Sequence, residues 1–297
     1  MKPAPFTLHR PGSLTDLFDV LQSVDDIDDV KLLAGGQSLV PMLALRLAQP
    51  AHVVDITGLG AEFEAIESNP HSIRIGALTR HRQAERSPVV ARRCPLLREA
   101  IAVVGHPAIR NNGTVGGSLA HADPAAELPT VAVALDARLT AHGPDGSRTI
   151  PASGFFEGFF TTALRPDELL VSIELPDLPP GSGSAFVEVS RRHGDFAMVG
   201  AAATVTLDGD RVASSRLALA GVSSTPVRAR AAEEFLRGAP ASHDTLRQAA
   251  RLATTDLRPS SDAHASASYR RHIAGVISAR ALAAAWVRAQ GEDRGWQ

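Results

Sequence analysis

The stretch IRNNGTVGGSLAHADPAAELP, residues 109–129, sets Gly113, Gly116 and Gly117 among hydroxyl and amide side chains and then runs into Leu128, Val131, Ala132 and Leu135. That last spacing is one apolar face of a helix. Glycine lets the backbone take a positive φ and lie close against a ligand, so a glycine-rich loop ahead of a helix can aim several N–H groups at an anion. A tight turn before a core helix is the plainer alternative, and one such loop does not separate the two.

A second loop of the same kind lies upstream. Leu33-Ala34-Gly35-Gly36-Gln37-Ser38-Leu39 follows a strand pattern at Val30, Leu32 and Leu33. It precedes Leu39, Leu43 and Leu47, a short helix for which Ser38 is the expected N-cap and Pro41 is tolerated in the first turn. The spacing is neither G-x-G-x-x-G nor G-x-x-x-x-G-K-[ST], so a Rossmann fingerprint and a P-loop are both excluded. A third segment, Ser190-Arg191-Arg192-His193-Gly194-Asp195-Phe196-Ala197, places two arginines ahead of a Gly-Asp-aromatic-Ala turn.

The rest of the chain narrows the classes of function. Its 297 residues, 44% hydrophobic and 21% charged, suffice for two units with a sizeable core. A net charge of −2 gives no global attraction to nucleic acid or anionic lipid. Arg80, Arg82, Arg86, Arg92, Arg93, Arg98 and Arg110 form a basic region, but no aromatic residue lies between Phe63 and Phe155 to stack on bases. A solvated or partner-docking surface is the better reading there. One cysteine, Cys94, cannot hold an iron–sulfur cluster, which needs about four thiolates, so any cluster that feeds this chain sits on another one. No apolar run is long enough to span a membrane, and the start of the chain lacks a signal peptide's apolar core, which predicts a cytoplasmic protein. There is no nucleophile elbow and no H-E-x-x-H, and the 11 histidines are scattered, so no residue is assigned as catalytic or as a metal ligand.

Local patterns fill in the elements. Ser13 should cap a helix with Asp16 three residues on and Leu14, Leu17, Phe18 and Leu21 as its buried stripe; Ile73 and Ile75 alternate as a strand; and Thr79 is the expected cap of a helix carrying Arg80, Arg82 and Arg86. Residues 137–150 read as a hairpin turning at Gly143-Pro144-Asp145-Gly146, and Phe155, Phe156, Phe159 and Phe160 as a cluster packed mostly into the core. Beyond the Pro- and Gly-rich run 176–183, strands are expected at 185–190, 197–207 and 212–220, and helices at about 228–236, 243–252 and 269–288.

Taken in this order and at this chain length, the two glycine loops and the SRRHGDFA segment resemble the FAD-binding medium subunit of molybdenum hydroxylases, the carbon monoxide dehydrogenase and xanthine dehydrogenase flavoprotein family. The resemblance implies an α+β chain. Residues 1–176 would be a two-part FAD-binding domain, with a small βαβ unit at 1–57 and a larger α+β unit with a mixed or antiparallel sheet at 58–176. Residues 177–297 would form a C-terminal three-stranded antiparallel sheet with a helical bundle.

It also implies FAD and its contacts. Ala34, Gly35, Gly36, Gln37, Ser38, Leu39 and Val40 would line the pyrophosphate and adenosine, with Thr114, Val115, Gly116, Gly117 and Ser118 wrapping the pyrophosphate from the other side through N–H groups and hydroxyls. Asp123 and Glu127 would accept hydrogen bonds from ribose or ribityl hydroxyls, Leu169 or Leu170 would sit by the flavin ring, and Phe196 would pack near the isoalloxazine. Gln37 stands where many members carry histidine, and Phe196 where many carry tyrosine or tryptophan. If Gly116 faces the pyrophosphate, Gly116→Val should abolish FAD retention and leave the fold largely intact.

The implied function is an oxidoreductase's electron-transfer subunit, taking electrons from [2Fe–2S] clusters on a small partner subunit and passing them through FAD to an acceptor. A molybdopterin-binding large subunit would oxidise the substrate in a heterotrimer open to further dimerisation. The alternatives are a free-standing FAD-dependent oxidoreductase acting directly on a small molecule, and a scaffold with a degenerate pocket.

Overall fold

A computed structural model describes residues 2–291. The chain opens with β1 (Thr7–His9), α1 (Leu14–Ser23), β2 (Val30–Leu33), α2 (Leu39–Ala44) and β3 (His52–Asp55), and the three strands form a parallel sheet in the order β1-β3-β2. Ser13 caps α1 by accepting from the Asp16 N–H at 3.1 Å, and Leu17, Phe18 and Leu21 are its buried stripe. Ser38, by contrast, already has helical backbone angles and makes no side-chain cap to α2. The helix stops at Ala44, which leaves Leu45 and Leu47 exposed.

The middle of the chain runs through β4 (Ile66–Ser68), β5 (Ser72–Gly76) and six helices: α3 (His81–Arg86), α4 (Pro88–Arg93), α5 (Pro95–Val103), α6 (Pro107–Asn112), α7 (Val115–His121) and α8 (Glu127–Ala134). Proline occupies the first position of α4, α5 and α6, where its fixed φ suits a helix start and its missing N–H costs nothing. Thr79 does not cap α3. Arg80 holds the cap position, and the Thr79 hydroxyl is buried without a partner. The strands β6 (Arg138–Gly143), β7 (Gly146–Pro151) and β10 (Leu169–Pro176) join β4 and β5 in a wholly antiparallel sheet, β4-β5-β10-β6-β7, beside a short hairpin of β8 (Phe156–Gly158) and β9 (Thr161–Thr162).

A bulge between Leu170 and Ser172 shifts the register of β10 against β6. Leu169 and Val171 therefore face the core shared with α1, while Leu170, Ile173 and Leu175 face the core built on α5, α7 and α8. The phenylalanine cluster divides. Phe155 is fully buried and meets Phe156 edge-on, and Phe159 and Phe160 are exposed.

The last part holds four strands rather than three: β11 (Ser182–Ser190), β12 (Ala197–Asp208), β13 (Arg211–Ala220) and a short β14 (Val227–Arg228). Val227 and Arg228 pair with Leu219 and Ala218, so the helix expected from residue 228 begins only at Arg230. Helices α9 (Arg230–Leu236), α10 (His243–Leu252) and α11 (Ala267–Ala289) cover the sheet face that presents Val199, Ala201, Ala203 and Val205. The opposite face presents Ala202 and Ala218 to the core of the middle segment. This two-residue alternation lets one sheet serve two cores. Among the described residues no helix is long and apolar enough to cross a membrane.

The glycine-rich stretch is not a loop. Gly116 and Gly117 lie in the first turn of α7 with Thr114 as N-cap, and neither takes a positive φ. Gly116 is needed because α7 lies directly on the chain leaving β5: a Cβ there would stand 2.4 Å from Ala77 Cβ and 2.8 Å from its backbone. Gly116→Val would unseat the helix rather than only block a ligand. We expect it to cost at least about 3 kcal/mol or to prevent folding altogether, to be read as a lowered thermal midpoint or as loss of soluble protein.

Candidate functional site

Two walls face each other. The first is the connection from β2 to α2. Gly36 has φ +72, a conformation open to glycine, in the turn that leads into α2. Among the described residues, the backbone N–H groups of Gly35, Gly36, Gln37 and Ser38 find no acceptor in the chain. The Gln37 side-chain amide instead donates to the Gly35 carbonyl at 3.0 Å and braces the loop. Unpaired donors in a row form an anion cradle that needs no positive side chain.

The second wall is the connection from α6 into α7. A Cβ on Gly35 would lie 2.4 Å from the Asn112 carbonyl oxygen, and one on Gly117 would lie 3.9 Å from Ala34 Cβ, so the two segments meet backbone to backbone. Here the expected donors are already spent. Val115 N–H donates to Thr79 at 2.9 Å, Gly116 N–H to Ala77 at 2.8 Å, Gly117 N–H to the Thr114 hydroxyl at 3.0 Å, and Ser118 N–H to the Thr114 carbonyl at 3.1 Å. What this wall can still offer a ligand is the half-buried Ser118 hydroxyl, which lies 3.1 Å from His81 Nε2.

Past α7 the chain turns at Ala122, in the left-handed region, into Asp123, whose Oδ1 accepts from Ala125 N–H at 2.9 Å. Glu127 begins α8 and is 8% exposed. Burial, helped by the charge of Asp123, pushes its carboxyl up to about 7. On β11, Glu188 is pushed up to about 8 by burial and by the charge of Glu127, and its Oε2 is buried without a partner. Two carboxyls from distant segments thus share one desolvated region, where a polar ligand's hydroxyls would relieve their cost.

A family description, "FAD binding domain in molybdopterin dehydrogenase", matches residues 4–178, and "CO dehydrogenase flavoprotein C-terminal domain" matches residues 184–285. The chain belongs to the FAD-binding medium-subunit family of the molybdenum hydroxylases. It is 42% identical to the 6-hydroxypseudooxynicotine dehydrogenase complex subunit alpha of Paenarthrobacter nicotinovorans, over 98% of this chain and 97% of that protein. It is 37% identical to the carbon monoxide dehydrogenase medium chain of Hydrogenophaga pseudoflava, over 97% of this chain and 99% of that one. The solved structure of carbon monoxide dehydrogenase from Hydrogenophaga pseudoflava lacking the Mo-pyranopterin moiety superposes with a TM-score of 0.93 at 38% identity, over 97% of this chain and 99% of that chain. Quinoline 2-oxidoreductase from Pseudomonas putida 86 superposes with a TM-score of 0.91, also at 38% identity, over 98% of this chain and 99% of that one.

As a member of this family the chain is an FAD-binding oxidoreductase subunit. The residues present fit FAD: the Gly35–Ser38 cradle suits a diphosphate, and the Ser118 hydroxyl and the Glu127 carboxyl are polar groups suited to the rest of the molecule. Leu39 is half-buried, Val40 is exposed, and both belong to α2 just beyond the cradle. Leu169 and Leu170 are 5% and 4% exposed and point into different cores. Phe196 is 70% exposed, on the turn between β11 and β12.

Two polar groups escaped the sequence reading, His81 and Glu188. Glu188 left one trace: two residues beyond Phe186, it shares that apolar residue's face of β11, and its cross-strand partner is Gly200. A carboxyl raised in the folded state is protonated more readily there than in the unfolded chain, so its stabilising contribution is full at low pH and is lost as pH rises through about 7 for Glu127. FAD-free protein should therefore melt higher at pH 6 than at pH 8.5, with ~1.4 kcal/mol of the difference coming from Glu127. Glu127→Gln should flatten that slope in a thermal-shift series across pH.

Proposed function

We propose that this chain is the electron-transfer subunit of a molybdenum hydroxylase-type dehydrogenase, standing between [2Fe–2S] clusters on a small partner subunit and an electron acceptor, with substrate oxidised on a molybdopterin-binding large subunit. FAD, when bound, supplies reversible one- and two-electron redox chemistry. The division of labour within the chain follows the same reading: residues 1–176 hold the cofactor, and residues 177–297, the last six outside the described range, complete the subunit.

The observation that carries the reading is the row of unpaired N–H groups from Gly35 to Ser38, held open by Gly36 and set against α7. In this assignment Ala34 through Val40 take the diphosphate and adenosine side. Ser118, Thr114 and the first turn of α7 close the other side through shape and one hydroxyl. Asp123 and Glu127 accept from sugar or ribityl hydroxyls. Leu169 or Leu170, from within the protein, and Phe196, from the exposed turn, belong near the ring. The partner assignment draws support from the relatives, which are subunits of multi-subunit dehydrogenases by name. It also accords with the chain's single cysteine, which is buried and pushed up to about 12 by that burial, and is thus no cluster ligand.

Native mass spectrometry of the protein isolated gently from its own host, with an absorption spectrum of the same sample, tests the assembly. The expected result is one complex holding FAD, a molybdenum subunit and an iron–sulfur subunit. A yellow protein that is alone and oxidises a small molecule by itself would replace this reading with that of a free-standing flavoenzyme. For the cradle, Gly36→Ala places a side chain on a left-handed residue at a cost of roughly 1–3 kcal/mol and withdraws the donor row. FAD affinity measured by fluorescence quenching should fall at least about tenfold, the equivalent of one charge-assisted hydrogen bond.

A further inference from the structure

His81 opens α3 and lies under the junction of α6 and α7. Its backbone N–H donates to the Gly113 carbonyl at 2.9 Å, its ring is 3% exposed, and its Nε2 is 3.1 Å from Ser118 Oγ. Burial pushes the imidazole down to about 4, with a Thr114 backbone contact opposing and the charge of Arg110 assisting. The ring is therefore neutral near pH 7 and carries one proton.

The surroundings decide which nitrogen holds it. Nδ1 is buried without a hydrogen-bond partner and faces Gly113, where a Cβ would stand 2.9 Å away. A proton on Nδ1 would be a buried donor with no acceptor, which costs more than an unused lone pair. The proton is thus assigned to Nε2, which donates to Ser118 Oγ. Once the serine oxygen has accepted, its own hydrogen needs an acceptor, and the chain supplies no other partner to that hydroxyl among the described residues.

We infer that His81 is a positioning residue: by donating from Nε2 it turns the Ser118 hydroxyl into an outward donor for an acceptor oxygen, phosphate or sugar, of the bound flavin nucleotide. This rests on the proposal that Ser118 lines the cofactor site. It gives the α7 wall, whose N–H groups are all used internally, one hydrogen-bond donor of fixed polarity. A positively charged side chain could serve the same anion, but here the polarity comes from a buried neutral ring.

The test combines FAD titration of the apoprotein by fluorescence quenching with long-range ¹H–¹⁵N spectra of histidine-labelled wild-type protein. The spectra should show His81 protonated at Nε2 and bare at Nδ1, with the Nε2 resonance moved by Ser118→Ala. In the titration, His81→Met and Ser118→Ala should each weaken FAD about tenfold, the worth of one hydrogen bond to a charged or strongly polar oxygen. The double variant should be no weaker than either single one, and His81→Gln, whose amide can also donate to Ser118, should restore most of the affinity. A purely structural role for His81 predicts the opposite, an equal loss with or without the serine hydroxyl, and that result overturns the inference. A proton on Nδ1 overturns it as well, even if His81→Met fails to fold. Ser118→Ala with wild-type affinity would overturn the site assignment and this inference together. If instead Ser118→Ala is weakened while His81→Met is not, only the role of His81 falls.

Discussion

Two backbones come closer than any side chain would allow where Gly35 meets the Asn112 carbonyl and where Gly116 meets Ala77. The first contact seats the β2–α2 loop against the end of α6. The second seats α7 on the chain leaving β5, where its first two N–H groups are taken by the Thr79 and Ala77 carbonyls. Protein interiors are packed as densely as organic crystals, so a single added methyl at either point must move a whole segment. These two contacts set how closely the β2–α2 loop, the end of α6 and α7 approach one another.

Charge at the site is arranged with little recourse to ions. One wall offers unpaired backbone dipoles, the other a hydroxyl over a neutral imidazole, and beyond them two carboxyls are pushed upward by burial. The arginines nearby are largely committed elsewhere. Glu85 holds Arg82 at 2.8 Å and Arg110 at 3.2 Å, and the Arg93 guanidinium engages Asp177, Ser68 and the Asn69 carbonyl. Glu85 itself is held below the usual carboxylate range: burial raises it, but the hydrogen bond from Arg82 and the charge of Arg110 more than offset that. Fixed dipoles ask for less desolvation than a buried guanidinium when a diphosphate arrives. The basic stretch of sequence is accordingly a brace for α3 to α6 more than a binding face.

The same economy joins the two ends of the chain. The β11–β14 sheet gives one face to its own helices and the other, through Ala202 and Ala218, to the core under α8. Polar links reinforce that seam: Arg228 reaches Asp136 at 2.7 Å, and Glu99 takes both Arg288 at 2.7 Å and the Phe186 N–H at 3.1 Å. Glu188 is half-buried on β11 with its Oε2 covered, so its own protonation, raised by burial and by the charge of Glu127, depends on how the C-terminal sheet is seated.

The sequence by itself determined what depends on short periods and on local caps: the Ser13-capped helix with its apolar stripe, the alternating strand at Ile73 and Ile75, the hairpin turning at Gly143-Pro144-Asp145-Gly146, the long C-terminal strands, and the two glycine-rich stretches whose order marks the family. Tertiary structure decided the rest, because the deciding partners are far apart in the chain. Ser38 needs no cap because its loop is held elsewhere, and β14 exists because Val227 and Arg228 find β13. The glycines of α7 look locally like a ligand loop, yet Gly116 is required by Ala77, Gly117 stands against the Thr114 hydroxyl, and neither leaves a free N–H behind. His81 and Ser118, separated by 37 positions, form a pair that no spacing rule encodes. A residue's own pattern sets its secondary structure, whereas its hydrogen-bond partners, its burial and hence its protonation state are set by whatever the fold brings against it.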